Sequence, residues 1–299
     1  MMRAAVMAAV LVVAACRSSS SGAAQGFDGG LALRRVERQV AAGPRVPGTA
    51  AHRAIGDWIE AELRRRADTV EVQRWTHVTV AGDTLPLRNV IARFQPANPN
   101  RVLFLTHWDS RPRSDMDPDP ARRSQPVPGA NDGASGVAVL LGVADALRRA
   151  PPALGVDLLF VDGEDYGSFD GDAPDVLLGS RHFASTLPPS YRPLFAVLLD
   201  MVGGSGQEYE QESYSLDNAP EVVERVWTTA EEIGLGRVFR ARRGTAVTDD
   251  HIPLLRAGIR AIDVIGFPWE FWHTTADTPD KLSAESLQNV GRLVLALVR

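Results

Sequence analysis

His107, Asp132, Glu164, Asp165, Asp200 and His273 are the residues of this chain best suited to chemistry, and each sits where the residue pattern changes. His107 follows the apolar run 101–106, and Asp200 ends the run 194–199. Glu164 and Asp165 close Phe160-Val161-Asp162-Gly163-Glu164-Asp165, where an apolar run from Val156 stops in three acids around a glycine. Asp132 lies in the small-residue turn Gly129-Ala130-Asn131-Asp132-Gly133-Ala134-Ser135-Gly136, and His273 in an aromatic stretch beyond the last apolar run. Singly, each has a structural explanation as a turn former, helix cap or packed histidine. Together, side chains at the ends of strands in an open α/β sheet share one crevice, and two His with three Asp are the donors that suit zinc. Asp165 is then placed to bind metal, while its neighbour Glu164 stays free to carry a proton. His107 and Asp109 are two apart on an extended chain, so Asp109 is expected to hold the imidazole from behind.

The elements that must position these residues follow from periodicity. Leu31, Leu33, Val36 and Val40 form one helical stripe, and Ile55, Trp58, Ile59 and Leu63 another, separated by the Gly43–Gly48 break. Residues 70–80 and 85–94 predict an antiparallel pair of strands. Beyond them come strands at 101–106, 158–161, 194–199 and 259–265, and helices at 136–147, 179–187, 222–233, 252–257 and 283–298. This alternation predicts an α/β three-layer sandwich with a mixed, largely parallel central sheet. Residues 111–129, rich in Pro, Asp and Arg, read as a long loop beside His107.

Bulk composition bounds the function. The 299 residues are 44% hydrophobic and 23% charged, ordinary for a globular protein, and the formal net charge of -5 argues against nucleic acid as a partner. Arg3 precedes an apolar segment, Ala4 to Ala15, too short to span a bilayer and followed by Cys16 and a Ser/Gly/Ala stretch. Residues 1–24 are therefore expected to be a signal peptide, lipobox and linker, and 25–299 a single zinc-dependent catalytic domain. The small residues before Cys16 resemble a bacterial lipobox, which implies a periplasmic or cell-envelope lipoprotein anchored at Cys16, touching membrane only through that lipid. Cys16 is the only cysteine, so neither an internal disulfide nor thiol catalysis is available to the mature domain.

In order along the chain, F-L-T-H-W-D-S at 104–110, G-A-N-D-G-A-S-G at 129–136, D-G-E-D at 162–165, L-L-D at 198–200 and W-H-T at 272–274 resemble the successive motifs of the zinc aminopeptidase superfamily that also contains animal-type glutaminyl cyclases. The resemblance implies the zinc-exopeptidase fold. It also implies Asp132, Asp165 and His273 as ligands of a first zinc, and His107 and Asp200 as candidates for a second. One zinc is implied for a cyclase and two for an aminopeptidase; the substrate is a peptide or protein N-terminus in either case.

Other segments resemble the cyclases more closely, above all Asp249-Asp250-His251-Ile252-Pro253-Leu254-Leu255-Arg256-Ala257-Gly258. Where peptidases often carry Ser, Asp249 would join Glu164 and Asp200 in a cluster of carboxylates that shares a proton. The resemblance thus implies formation of pyroglutamate from an N-terminal glutamine, with Glu164, Asp249 and Asp200 as the catalytic acids; the alternative is a two-zinc aminopeptidase. A third reading, a domain kept for binding alone, is disfavoured by the intact Glu164 and ligand set. Trp272, Phe267 and Trp269 are the expected pocket walls and His251 a supporting residue behind the acids. His52, His77 and His182 are read as structural. The chain departs from the cyclase pattern in Asp165, where Glu is usual, in Thr248, where animal cyclases carry Gln, and in the acidic 166–176 loop, where they place a pocket tryptophan.

Overall fold

A computed structural model describes residues 26–169 and 174–298. The expected signal segment and Cys16 lie outside the described residues. Six strands, β1 (Thr69–Val78), β2 (Thr84–Phe94), β3 (Arg101–His107), β4 (Gly155–Val161), β5 (Ala196–Asp200) and β8 (Ala261–Ile265), form one sheet in the order β1-β2-β4-β3-β5-β8. β4, β3, β5 and β8 are mutually parallel, and β1 and β2 form the antiparallel pair at one edge.

Alternation within the buried strands assigns their side chains to the two faces. Val102, Phe104, Val156, Leu158, Phe160, Val197 and Leu199 face the larger core under α1 (Gly29–Ala41), α2 (Ala50–Arg64), α3 (Ala134–Arg149), α6 (Pro220–Glu232) and α8 (Ala284–Leu297). Leu103, Leu105, Leu159, Val161, Ala196 and Leu198 face the smaller core under α4 (Leu178–Thr186) and α7 (His251–Arg256). Asp28, Thr49 and Ser283 cap α1, α2 and α8, each accepting a first-turn N–H, as the sequence around each helix start requires. At the start of the described chain the Phe27 ring is wedged between α3 and α8. A Cβ on Gly142 or Gly291 would stand 2.4 or 2.3 Å from it.

Segments 205–221 and 234–248, for which the residue pattern predicts no element, contain β6 (Tyr209–Gln211), α5 (Ser213–Asn218) and β7 (Phe239–Arg243). Glu212 organises this region. Its carboxylate accepts from Tyr214 N, Ser215 N and Ser215 Oγ, and at 3.0 Å from Val247 N in a loop that reaches the active site. Burial alone would push this carboxyl up; the His251 and Ser215 partners outweigh it and hold it down at about 2. A glutamate at about 4.3 in the unfolded chain then contributes about 3 kcal/mol of stability, present in full above that pH and lost as pH falls toward 2. Glu212→Gln is expected to destabilise the protein at neutral pH, with the gap to wild type closing below about pH 4. Urea melts across pH check this, and a gap independent of pH rules the linkage out.

Candidate metal centre and active site

The carboxyl ends of four strands deliver the site. β3 ends in His107, β4 runs into Asp162–Asp165, β5 ends in Asp200, and the segment after β8 carries His273. Asp132 enters from the turn before α3. Gly133 there has φ +89°, and a Cβ on it would stand 2.6 Å from Asp109 O and 3.1 Å from His107 Cε1, so the turn can approach β3 only as glycine. Two non-glycine residues at the site, Met201 (φ +46°) and His273 (φ +54°), adopt the left-handed conformation, which the surrounding packing must hold at a cost of about 1–3 kcal/mol each.

Asp132 stands between two ligand sets. Its Oδ1 is 3.1 Å from His107 Nε2, which is also 3.1 Å from Asp200 Oδ1. Its Oδ2 is 3.7 Å from His273 Nε2, itself 3.4 Å from Asp165 Oδ1. Asp132, Asp165 and His273 thus form one group able to hold a metal, and His107, Asp132 and Asp200 another. Donors about 2.0–2.2 Å from a tetrahedral zinc lie roughly 3.3 Å from one another, which these separations match. Asp165 Oδ2 is buried with no hydrogen-bond partner among the described residues, and burial pushes His273 down to about 4, leaving the neutral imidazole that ligation requires. The donor set and this orphaned oxygen fit zinc.

The acids divide by environment. Burial and the charges of Asp165, Asp249 and Asp250 push the Glu164 carboxyl well above its usual range. Burial and Asp200 push Asp249 up to about 7. Burial would lower His107, yet the carboxylates of Asp109, Asp132 and Asp200 around it raise it well above its ordinary value. Glu164, Asp249 and Asp200 line one cavity of about 250 Å³ with Asp132, Asp165 and His273. Crowded carboxylates of this kind cannot all ionise, so protons are shared among them.

Trp272 and Phe267 form part of the cavity wall, Trp272 stacked on the His273 ring at 3.9 Å and Phe267 set edge-on to Trp272. Trp269 does not line it. That indole packs edge-on against Phe271 and toward Gly204, and the further aromatic wall is Phe169, from the acidic loop. Asp109 also has a different task from the one expected. Its oxygens accept from the backbone N–H groups of Glu164 (3.1 Å) and Asp165 (3.2 Å), fixing the acidic turn, and the nearer stands 3.6 Å from His107 Nδ1, beyond hydrogen-bond reach. His251 is fully buried and its Nε2 lies 3.4 Å from Glu212 Oε2.

Several supporting residues carried no signal in the sequence. Arg111 Nη1 donates to Asp165 Oδ1 at 2.6 Å while its other nitrogens bind Asp115, so one oxygen of the ligand is already committed. Asp277 accepts from the N–H groups of Asn131 and Asp132. Arg45, fully buried, donates to the carbonyls of Trp108, Pro128, Gly129 and Asp132, tying the end of β3 to the Asp132 turn. His52 Nε2 lies 2.8 Å from Asp162 Oδ1 with its ring stacked on Trp108, bracing the acidic turn from outside the cavity. His77 pairs with Asp175 and His182 stacks on Trp75.

Residues 89–298 match peptidase family M28. The chain belongs to that family. Among solved structures it is similar to the Bacteroides thetaiotaomicron glutaminyl cyclase, with a TM-score of 0.88 and 37% identity over 91% of this chain and 98% of that one. It is equally similar to a Zn-dependent exopeptidase from Parabacteroides distasonis, with a TM-score of 0.87 and 40% identity over 92% and 99% of the two chains. Bovine glutaminyl-peptide cyclotransferase is 27% identical over 288 residues, 85% of this chain and 77% of that protein. These M28 relatives are enzymes, and the largely parallel sheet between helical layers is the zinc-exopeptidase-like fold they share.

Proposed function

We propose that this M28 protein is a glutaminyl-peptide cyclotransferase, converting an N-terminal glutamine of peptides or proteins to pyroglutamate with release of ammonia. The observation that carries the reading is that Glu164 and Asp249, both acids with raised pKa values, open on one aromatic-walled cavity sized for a single side chain. Trp272, Phe267 and Phe169 offer flat apolar faces to a planar carboxamide. Asp132, Asp165 and His273 would hold zinc, which when bound would supply polarisation of the γ-carbonyl. The substrate α-amine then closes on that carbon within the same residue, an intramolecular attack that gains from proximity. Glu164 takes the proton the amine sheds and returns it to the departing nitrogen, so that a C–N bond forms, a C–N bond breaks and ammonia leaves. Burial and the charges of Asp165, Asp249 and Asp250 keep the proton affinity of Glu164 high enough for both transfers, and Asp200 in turn raises Asp249.

A second reading, a two-zinc aminopeptidase, is favoured by one observation: the His107, Asp132 and Asp200 group is also of metal-binding geometry and shares Asp132 with the first. In that reading Glu164 activates water against the first peptide bond. Metal-replete protein incubated with glutamine-initiated and leucine-initiated fluorogenic peptides, with zinc counted per chain, separates the two. Ammonia from the glutamine peptide with one zinc is the expected result; free amino acid with two zincs would sink the cyclase reading. The Ala4–Cys16 sequence further supports an exported chain held at the envelope by lipid on Cys16.

A further inference from the structure

On the face of α1, α2 and α3, a groove of about 460 Å³ is lined by Arg34, Arg35, Arg38, Arg66 and Arg149 around the Trp58 indole. Among the described residues two carboxylates line it, Glu62 and Asp145, leaving a local charge of +3 in a chain whose net charge is -5. Both are already engaged: Asp145 binds Arg35 and Arg66, and Glu62 binds Arg66. Among the described residues Arg34, Arg38 and Arg149 have no ion pair, Arg38 lying instead over the Trp58 ring at 4.8 Å. Two buried donors, Arg35 Nη1 and Trp58 Nε1, have no acceptor among the described residues. Surface arginines are common and most are merely solvated. A concave cluster in which three arginines lack carboxylate partners is not of that kind, because its uncompensated charge is concentrated in one place.

We propose that this groove docks on the phosphate headgroups of an anionic phospholipid surface. Phosphate oxygens supply acceptors only, in the geometry guanidinium groups match. Two features select a membrane as their source. The groove begins at Leu31 and Arg34, in the first turns of α1 (Gly29–Ala41), so it lies at the N-terminal end of the described chain, where the lipid tether proposed above would join the domain. α3 begins beside Asp132 and runs 16 residues, about 24 Å, to Arg149, so the Asp145 and Arg149 end of the groove lies at the opposite end of α3 from the catalytic cavity. Docked this way, the cavity faces away from the lipid and stays open to polypeptide N-termini. Negative charge elsewhere on the protein does not oppose docking at physiological salt, where the Debye length is about 8 Å. The inference stands apart from the reaction assigned to the cavity.

The test uses the full chain carrying Cys16→Ser, so that partition does not depend on an acyl group. Sedimentation with vesicles containing phosphatidylglycerol is compared with sedimentation with pure phosphatidylcholine vesicles. Three uncompensated arginines should favour the anionic vesicles on the order of 100-fold at low salt. Reversing Arg34, Arg38 and Arg149 to Glu should abolish the preference while leaving turnover of a soluble substrate unchanged, and the milder change of all three to Gln should reduce it. Equal preference in the parent and the charge-reversed variant overturns the proposal. Binding of inorganic phosphate alone, seen by calorimetry and dependent on the same arginines, without a preference for anionic vesicles, overturns the lipid assignment in favour of a free anion.

Discussion

Glu164→Gln is expected to lower kcat by about 10²–10⁴ while zinc content and thermal stability stay near those of the parent. The carboxyl is 7% exposed, lines the cavity, and is not in either group able to hold metal, so its amide replacement keeps the shape and removes only the capacity to take up a proton. Asp165, its neighbour, should respond differently: with its unpaired Oδ2 gone, Asp165→Asn should lose metal and activity together. Steady-state kinetics beside metal analysis distinguishes the two adjacent acids. Retention of more than about a tenth of parental kcat by Glu164→Gln would refute the proton-carrier role. The variant probes the proton step alone, since both candidate reactions need it; the ammonia and zinc measurement chooses between them.

Arg45→Met is expected to cost about 3 kcal/mol or more and to weaken zinc binding about 10–100-fold, although Arg45 touches neither metal nor substrate. The guanidinium serves four carbonyl oxygens from residues 108, 128, 129 and 132, and Arg45 is fully buried. Burial brings it down to about 10, so it remains charged at neutral pH beside Asp277, Asp109 and Asp132. Methionine fills the space and supplies no donor, leaving the Asp132 turn free to shift relative to β3. Arg45→Lys, with one charged donor group, should recover part of the stability and less of the zinc affinity, because one ammonium cannot reach four carbonyls fixed in a fan. Chelator competition on folded protein reads the affinity, and an Arg45→Met protein that holds zinc as tightly as the parent would show that the turn is positioned by other means.

These two residues also mark what the sequence made visible. Glu164 was legible because an apolar strand that stops in acids is a local pattern, and the same holds for His107 and Asp200 at the ends of β3 and β5. Arg45 was not, because in Gly43-Pro44-Arg45-Val46-Pro47-Gly48 it reads as part of a break, and no spacing announces that a guanidinium folds inward onto carbonyls 63 to 87 residues away. Asp109 was placed behind His107 by strand periodicity, but β3 ends at His107 and past that point the alternation no longer directs side chains. The irregular 266–273 segment likewise turns Trp269 and Trp272 to different surroundings, while Phe169, isolated among acids, gives no hint in sequence that it lines the cavity. Helix α5 went unseen because Ser213-Tyr214-Ser215-Leu216-Asp217-Asn218 has no apolar stripe; Glu212 and its distant partners make it a helix.

The Phe27 ring between α3 and α8 fixes how far the chain can be shortened from its N-terminal side. Cleavage anywhere upstream of Phe27 leaves the wedge in place and the helices closed over it. Cleavage just beyond it removes a benzyl group from a slot whose walls are Gly142 and Gly291, which have no side chains to refill it. A void of that kind between two core helices costs about 3–5 kcal/mol, a large share of the stability of an ordinary domain. Shortening of the chain from its N-terminal side therefore meets a thermodynamic stop at residue 27, set by packing and not by sequence.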